Sequence, residues 1–401
     1  MRASPLQTHG RGVSSPWLLV YRKPGPNPMN LAGYTVSDAI TLPPKIDFGI
    51  GIIGCGGIVN YAHLPAYNAA GFRVLACYDQ NRDAAVRTAR AHGIPRVAAS
   101  IDELLADAEI AVVDIAITPW DQPVVAERAI AAGKHLLCQK PFAGSYADAV
   151  RVVDLARRAG KKLAINQQMR WDAGIRVSKQ LIEQGALGIP ADARIEVSIR
   201  TPWQMWPWIA ASERLEIMYH SIHYQDALRY LFGDPRRVTS LHGRWPGQAE
   251  IGETRTLTVF EYPDDLRVTI DVNHHNWSDD AYARFRFLGT EGIIAGTLGL
   301  LYDYPTGRVD TLAYQPNREP LTWHDAELAT WWIPDAFAGP MASLMEAIQT
   351  GGEPLTSGAD NLGTLRTVFA AYRSAAEGRT ISLDEITAEG EGRSGDSLGN
   401  D

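Results

Sequence analysis

The sequence has few cysteines, no long hydrophobic run and no excess of positive charge. Its three cysteines, Cys55, Cys77 and Cys138, are odd in number and far apart, so neither a disulfide framework nor a structural zinc site is expected. This cysteine usage is typical of a reducing compartment, and we expect a cytoplasmic protein. No window approaches the roughly 18 consecutive apolar residues of a membrane-spanning helix, so no membrane partner is expected.

The charge balance argues against nucleic acid as a partner. Lys and Arg number 38 and Asp and Glu number 46, which gives a formal net charge of −8. Polyanions bind surfaces with an excess of positive charge, so neither nucleic acid nor an anionic membrane is expected to be the main partner. The apolar fraction of 45% in 401 residues is sufficient for a large core, and the length suggests two or three domains.

The two ends of the chain differ in composition from the rest. Residues 1–45 are expected to be a disordered extension, because the first 30 are rich in Arg, Ser, Gly and Pro. Their only apolar run, residues 17–21, is too short for a secretory signal, and Met29 is an alternative start. Residues 386–401, rich in Gly, Ser, Glu and Asp, are expected to form a flexible tail.

Strands and helices alternate between residues 46 and 166. Near-continuous apolar strands joined by helices indicate a parallel sheet that is covered on both faces, with ligands at the carboxyl ends of its strands. This pattern predicts a dinucleotide-binding domain at residues 46–166. The strands are predicted at residues 46–53, 73–78, 110–117, 135–138 and 162–166.

The pattern changes after residue 166. The strands become longer, alternate polar with apolar residues and are separated by turns, which predicts a second domain at residues 167–385 on a mainly antiparallel sheet. Helices are predicted at residues 215–232, 339–350 and 361–376. The strands are predicted at residues 193–200, 255–262, 266–274 and 281–288.

The turn after the first strand reads GCGGIV at residues 54–59. Gly54 permits the tight turn, and Gly56 allows a pyrophosphate to approach the backbone at a helix N-terminus. Asp79, 25 residues on, is expected to bind both ribose hydroxyls and repel a 2′-phosphate. The alternative is a cap of the following helix, and the two roles are compatible. NAD is therefore the predicted cofactor and NADP the alternative. The candidate cofactor ligands are Gly54, Gly56, Gly57, Ile58, Asp79, Thr118, Pro119, Gln139 and Lys140.

Titratable residues share one face of the helix predicted at residues 215–232. Tyr219, His220 and His223 fall at helical spacing on that face. His223 is a candidate general base, since an imidazole titrates near neutral pH, and the alternatives are buried structural histidines or a metal pair. No third ligand is apparent, so no metal is predicted. Lys140 ends another strand, where it is either a group that polarises a substrate hydroxyl or a surface lysine.

The segment TPWQMWPW at residues 201–208 carries three indoles between prolines. Aromatic faces of this kind stack on the C–H faces of sugar rings, and they are also frequent at subunit interfaces. Both interpretations remain open for Trp203 and its neighbours.

These residues together resemble the Gfo/Idh/MocA family, the glucose–fructose oxidoreductase and inositol dehydrogenase group, over residues 46–383. The matching motifs are GIIGCGGIV at 51–59, IAITP at 115–119, GKHLLCQKP at 133–141, HYQDALRYLFG at 223–233 and YRSAAEG at 372–378.

The resemblance implies a Rossmann domain followed by a domain on an open, mainly antiparallel sheet, with NAD(P) between them. It also implies a homodimer or homotetramer through the back of that sheet. Lys140 and His223 match the family's active-site lysine and histidine, and Arg170 and Trp171 match a basic-aromatic pair near the nicotinamide. The candidate substrate-binding residues are Arg170, Trp171, Trp203 and His220.

The sequence departs from the family pattern beside the predicted chemistry. Gln139 stands where the family has Glu, and the loss of that carboxylate should let Lys140 lose its proton more easily. Tyr219 stands where the family has an Asp that orients the histidine. Tyr219 is therefore a candidate proton donor, and His220 is the alternative.

The sequence thus predicts an NAD(P)-dependent dehydrogenase of a secondary alcohol in a sugar, glycoside or polyol. His223 would remove the hydroxyl proton while Lys140 polarises the same oxygen. One alternative is lyase, epimerase or glycosidase chemistry through a transient keto sugar with recycled NAD. A second alternative is a non-catalytic NAD- or sugar-binding regulator on the same fold.

Overall fold

A short hairpin precedes the first sheet in the structure, a computed structural model that describes residues 28–302, 304 and 307–390. Strand β1 (Met29–Leu31) pairs antiparallel with β2 (Tyr34–Val36). The hairpin buries Leu31 and Val36 in the main core. The expectation of disorder is therefore wrong for residues 28–45, and its remainder, residues 1–27, lies outside the described residues.

The first sheet is parallel and has the order β5-β4-β3-β6-β7-β8 within the described part of the chain. It is the Rossmann-type sheet that the alternating pattern predicts. Its strands are β3 (Gly49–Ile53), β4 (Arg73–Tyr78), β5 (Arg96–Val97), β6 (Ile110–Ile115), β7 (His135–Cys138) and β8 (Leu163–Ile165).

Helices cover both faces of this sheet, and side-chain caps determine where several of them begin. Ser100 and Ser145 accept hydrogen bonds from the backbone at the first turns of the third and fifth helices. A π-helical turn, Val59–His63, lies between the glycine-rich turn and the first α-helix. The α-helices are α1 (Leu64–Ala70), α2 (Arg82–His92), α3 (Ile101–Ala106), α4 (Gln122–Ala131) and α5 (Tyr146–Arg158).

The carboxyl ends of four neighbouring strands are level with one another. Ile53 at the end of β3 pairs with Tyr78 of β4 and with Ile115 of β6, and Ile115 pairs with Cys138 of β7. The segments that follow these strands therefore meet along one edge of the sheet, which is where an open α/β sheet binds its ligand.

The second sheet has the order β16-β15-β14-β13-β9-β12-β11-β10-β17 in the described residues. Its pairs are antiparallel except β9 with β12, so the prediction of a mainly antiparallel sheet is confirmed. Its strands are β9 (Pro190–Ser198), β10 (Arg237–Gly243), β11 (Arg255–Glu261), β12 (Arg267–Asn273), β13 (Tyr282–Gly289), β14 (Gly292–Thr297), β15 (Thr311–Pro316), β16 (His324–Asp325) and β17 (Ile381–Ser382).

One face of the second sheet is apolar and is covered by helices. Ile195 pairs with Ile270 and with Phe285, and all three side chains are buried. Phe232 at the end of the central helix packs on this face, with its ring 5.5 Å from the ring of Phe287. The helices are α6 (Ala173–Glu183), α7 (Pro207–Ala210), α8 (Ile222–Phe232), α9 (Ala338–Thr350) and α10 (Gly358–Glu377), and a π-helical turn, Ile217–Ser221, leads into α8.

The C-terminal segment is ordered beyond the predicted start of the tail. Ile386 is 1% exposed and belongs to the main core, so the tail prediction is wrong at that residue. Residues 391–401 lie outside the described residues. Among the described helices, none has both the length and the apolar character needed to cross a membrane.

Asp38 fastens the segment after the hairpin to the second half of the chain. Its Oδ2 accepts hydrogen bonds from Ala329 N at 2.7 Å and from Thr330 N at 2.8 Å. Asp38→Ala should lower the free energy of unfolding by about 2 kcal/mol, because it leaves these N–H groups without an acceptor. Asp38→Asn keeps one acceptor oxygen and should lose less. Denaturant unfolding of both variants checks this, and an Ala variant as stable as the wild type would contradict it.

Candidate active site

The glycine-rich turn after β3 has the geometry of a dinucleotide cradle. Gly54 has a φ of 100°, and a Cβ atom there would lie 2.4 Å from the carbonyl oxygen of Ala116. Gly54 N donates to Tyr78 O at 2.8 Å, which fastens the turn to β4. A Cβ on Gly56 would have no atom within 4 Å, so the backbone there is open to a pyrophosphate.

Asp79 at the end of β4 supports this turn. Its Oδ2 accepts from Cys55 N at 2.7 Å and its Oδ1 accepts from Asn81 N at 2.8 Å. The N-cap of α2 is Asn81, whose side chain accepts from Ala84 N. The alternative role of Asp79 as a helix cap is therefore wrong, and its carboxylate instead holds the glycine-rich turn at the place where an adenosine ribose would bind.

The ends of β6 and β7 are connected by Gln122, which sequence reasoning missed. Its fully buried side chain donates from Nε2 to Ile117 O at 3.1 Å and to Pro141 O at 3.3 Å. Thr118 donates from Oγ1 to Asp121 Oδ2 at 2.6 Å and opens the turn that carries Pro119. Both predicted cofactor segments are thereby held at the same edge as the glycine-rich turn.

Lys140 connects the two halves of the molecule. Its Nζ donates to the main-chain oxygen of Tyr219, in the π-helical turn before α8, at 2.6 Å. The same residue is held from the other side, since Lys140 N donates to Gln139 Oε1 at 2.7 Å. Burial lowers the pKa of Lys140 to about 7, so both charge states of the amine are accessible near neutral pH.

His223 and His220 lie near this lysine. Burial, followed by the charge of Lys140, holds the pKa of His223 well below 6.5, and its Nδ1 has no hydrogen-bond partner. The pKa of His220 is also well below 6.5, because of burial and then the neighbouring His274. Both imidazoles are therefore neutral at pH 7, which is the state a general base requires.

His274 belongs to the same cluster, and sequence reasoning missed it. Its ring centre lies 4.6 Å from that of His220, and its Nδ1 is 2.6 Å from Thr201 Oγ1. Its Nε2 lies 3.7 Å from Glu216, a fully buried carboxylate. The available signal was the position of His274 at the end of a predicted strand, beside a second histidine. No group of three or more metal-binding side chains occurs in the part of the chain that the structure describes.

Aromatic side chains surround the histidines. The Trp203 ring lies 5.0 Å from the rings of both His220 and His274, and its Nε1 is buried without a partner. Trp332, which was not predicted, meets His223 edge-on at 5.4 Å and has an unpaired Nε1 as well. A ligand that brings acceptor oxygens to this cluster would satisfy both indole N–H groups.

The side chain and the main chain of Tyr219 have different contacts. The phenol packs edge-on against Trp208 at 5.4 Å, and only the main-chain oxygen of Tyr219 contacts Lys140. Burial raises the pKa of Tyr219, in spite of a hydrogen bond with Ser212. Among the described residues, no hydrogen bond joins this phenol to His223, and its role as a proton donor stays a prediction.

Arg170 has a structural environment that differs from the predicted one. Its guanidinium donates twice to Asp226 at 2.7 Å, and it also donates to Asp360 and to the oxygen of Leu355. Arg170 is 4% exposed and forms ion pairs with Asp226 of α8 and Asp360 of α10, and its predicted role in substrate binding stays a prediction. Trp171 packs against the backbone of Gly339 in α9, and its predicted contact with a ligand stays a prediction.

Comparison with known proteins identifies chains that are similar to this one over most of its length. A model described as an oxidoreductase family with an NAD-binding Rossmann fold matches residues 48–167, and the C-terminal alpha/beta domain of that family matches residues 179–383. D-apiose dehydrogenase of Paraburkholderia graminis is 30% identical over 84% of this chain and 90% of its own. Inositol 2-dehydrogenase of Acidiphilium cryptum is 30% identical over 56% of this chain and 66% of its own.

A solved structure is similar over the same region. The oxidoreductase from Agrobacterium radiobacter, in complex with NAD+, L-tartaric acid and magnesium, has a TM-score of 0.76 and 27% identity. The similarity covers 85% of this chain and 100% of that one.

Two glycines of the cradle provide a matched pair of variants. Gly54→Ala should lower both thermal stability and NAD affinity, because the added methyl group meets Ala116 O and the residue has a positive φ. Gly56→Ala should leave stability unchanged but weaken NAD binding by about tenfold or more, since the methyl group occupies only the ligand's space. Thermal melts and calorimetric titration with NAD check this. Equal NAD affinity in wild type and Gly56→Ala would contradict the placement of the cofactor.

Proposed function

The chain belongs to the Gfo/Idh/MocA family of NAD-binding oxidoreductases, and on that premise we propose that it oxidises a secondary alcohol of a sugar, glycoside or polyol. The observation that carries the proposal is the hydrogen bond from Lys140 Nζ to Tyr219 O at 2.6 Å. It brings a lysine from the cofactor sheet to two neutral histidines of the second half. The names of the relatives, D-apiose dehydrogenase and inositol 2-dehydrogenase, support the substrate class.

The predicted division into a cofactor domain, residues 46–166, and a substrate domain, residues 167–385, is part of this proposal. The cradle at residues 54–58 would hold the pyrophosphate and Asp79 the adenosine ribose. Thr118, Pro119, Gln139 and Lys140 would border the nicotinamide end. When bound, NAD supplies the acceptor for the hydride of the alcohol carbon.

His223 would act on the hydroxyl proton. Its imidazole is neutral and buried, and its Nδ1 lacks a partner, so a substrate hydroxyl would complete its hydrogen bonding. Lys140 would donate a hydrogen bond to the same oxygen and stabilise the negative charge that develops there. His220 would complete the proton relay, and its ring adjoins that of His274 at 4.6 Å.

The aromatic side chains would bind the body of the substrate. Trp203 and Trp332 each present an unpaired indole N–H beside the histidines. These donors suit hydroxyl oxygens, while the ring surfaces suit the C–H groups of a sugar or polyol. This arrangement supports a polyhydroxylated substrate over a purely apolar one.

The assembly and the compartment are further parts of the proposal. The face of the second sheet opposite the helices exposes Leu241 and Leu257, which are paired across β10 and β11. Exposed apolar side chains on a broad sheet favour a homodimer or homotetramer through this face. The three cysteines are free and buried, which suits a reducing cytoplasm.

The direct test is a spectrophotometric assay with NAD+ or NADP+ and a panel of aldoses, glycosides, inositols and acyclic polyols. Formation of reduced nicotinamide with at least one of them is the expected result. Failure with every member, by a protein that binds NAD in calorimetry, would contradict the proposal.

His223→Ala should lower kcat by about 10²–10⁴-fold, because the general base is removed. His324→Ala, in the edge strand β16, is the matched control and should retain wild-type kcat. Steady-state kinetics on the preferred substrate check this prediction. Near wild-type turnover in His223→Ala would remove the general-base assignment.

Asp79→Asn should relax the preference for NAD+ over NADP+. The amide can still accept from Cys55 N, but it no longer repels a 2′-phosphate. The ratio of kcat/KM for NADP+ to that for NAD+ should rise by about tenfold or more. Asp83→Asn in α2 controls for the loss of one nearby negative charge. An equal ratio in both variants would contradict the assignment of Asp79.

A further inference from the structure

A cluster of buried polar side chains lies next to Gln139, which precedes Lys140 after the end of β7. His63 ends the π-helical turn after the glycine-rich turn, and its ring is completely buried between three strand ends. Asp114 of β6, Gln139 after β7 and Asn166 after β8 reach this ring, and each of the three is at least nine-tenths buried. None of the steps proposed above uses His63.

The distances determine the direction of each hydrogen bond. Lys140 N is a donor, so the atom that it meets at 2.7 Å must be the oxygen of the Gln139 amide. The nitrogen of that amide then faces His63 Nε2 at 3.1 Å, so Nε2 must be the acceptor. The proton of the neutral ring is consequently on Nδ1, which donates to Asp114 Oδ2 at 2.8 Å.

The remaining neighbours agree with this direction. Asn166 Nδ2 also lies 3.1 Å from the same Nε2, where it shares the one lone pair of that nitrogen with the Gln139 amide. Tyr67 donates its hydroxyl proton to Asp114 Oδ2 at 2.7 Å. Asp114 Oδ2 therefore accepts two hydrogen bonds, and the hydrogen bonds run in one direction from Gln139 through His63 to Asp114.

This direction requires an amide at position 139. A carboxylate there would face the acceptor nitrogen of His63 with no proton between them. To donate to both carboxylates the ring would have to take up a second proton, and it would then lie as a cation between Asp114 and the new carboxylate.

We propose that His63 is a positioning residue for the reaction: its fixed tautomer requires an uncharged amide at position 139, and that amide holds the main chain of Lys140. The role in catalysis rests on the proposed function. The choice of tautomer rests on the hydrogen bonds alone.

The consequence for Lys140 is electrostatic. The titratable groups around its Nζ are His220 and His223, which are both neutral, and burial alone lowers the pKa of the lysine to about 7. Around His63 the titratable groups are Asp114 and Tyr67, with Cys138 close to Asp114. A carboxylate at position 139 would therefore be a new negative charge beside Lys140 and would raise the pKa of the lysine.

The experiment compares Gln139→Glu with the double variant Asp114→Asn/Gln139→Glu. The double variant exchanges the carboxylate and the amide, so His63 can adopt its other tautomer and keep one proton in each of its hydrogen bonds with positions 114 and 139. Gln122→Glu, alone and with Asp114→Asn, is the matched control, since Gln122 is an equally buried amide at the same edge that does not contact His63. Thermal midpoints are measured across the range from mildly acidic to mildly alkaline pH.

The thermal midpoint of Gln139→Glu should be lower than that of the wild type. The difference between the two midpoints should grow as the pH rises, because His63 then loses its second proton. Adding Asp114→Asn should restore the midpoint and remove most of this pH dependence. Asp114→Asn should not raise the thermal midpoint of Gln122→Glu. Equal midpoints for Gln139→Glu and wild type at the alkaline end of the range, or the absence of a specific rescue, would overturn the proposal.

The pH dependence of amine labelling at Lys140, followed by mass spectrometry, reports on the lysine without requiring turnover. In both variants that carry Gln139→Glu, the pH midpoint of Lys140 labelling should be higher than in the wild type by at least about one pH unit. An unmoved value would overturn the link to Lys140. If the melts and labelling behave as expected but no sugar or polyol is oxidised, the proposed function fails and the tautomer assignment stands.

Discussion

The hydrogen bond between Lys140 Nζ and the main-chain oxygen of Tyr219 is the contact on which the candidate active site depends. It links the edge of the parallel sheet to the π-helical turn that begins the histidine-bearing helix. Other hydrogen bonds also join the two halves, such as that from Ile165 N to Thr356 O, but this one joins the predicted lysine to the histidine-bearing segment. Its acceptor is a backbone atom, so the connection does not require a particular side chain at position 219.

The chemistry of the site follows mainly from the burial of its amine and imidazoles, and the charge of Lys140 further lowers the pKa of both histidines. A buried amine without a carboxylate partner loses its proton easily, and buried imidazoles beside it remain unprotonated. Lys140, His220 and His223 all have lowered pKa values for this reason. Gln139 contributes because it is an amide, and the buried His63 accounts for why an amide fits there. The site therefore combines several proton acceptors with one amine whose pKa is about 7.

The parts of the fold that depend on local sequence could be predicted, and the parts that depend on distant partners could not. Apolar strands with level carboxyl ends placed the glycine-rich turn, Asp79 and Lys140 at one edge. The strand β14 was missed because glycine occupies two of its six positions and its pattern is weak.

The environments of the site residues that sequence reasoning did not predict have equally specific causes. Regular helical spacing put the Tyr219 side chain beside His223, but the π-helical turn Ile217–Ser221 adds a residue to the turn and changes that phase. The ion pairs of Arg170 could not be predicted, because its carboxylate partners, Asp226 and Asp360, come from helices far along the chain. His274 reaches the site only through the position of β12 beside β9 in the sheet.

The central claim is that this site transfers a hydride from an alcohol carbon while neutral side chains handle the proton. The most direct measurement uses the preferred substrate with deuterium on the carbon that is oxidised. The deuterium should appear on the reduced nicotinamide, and Lys140→Met and His223→Ala should slow its appearance. Deuterium that stays in the product or exchanges with water, without net reduction of NAD+, would contradict this claim.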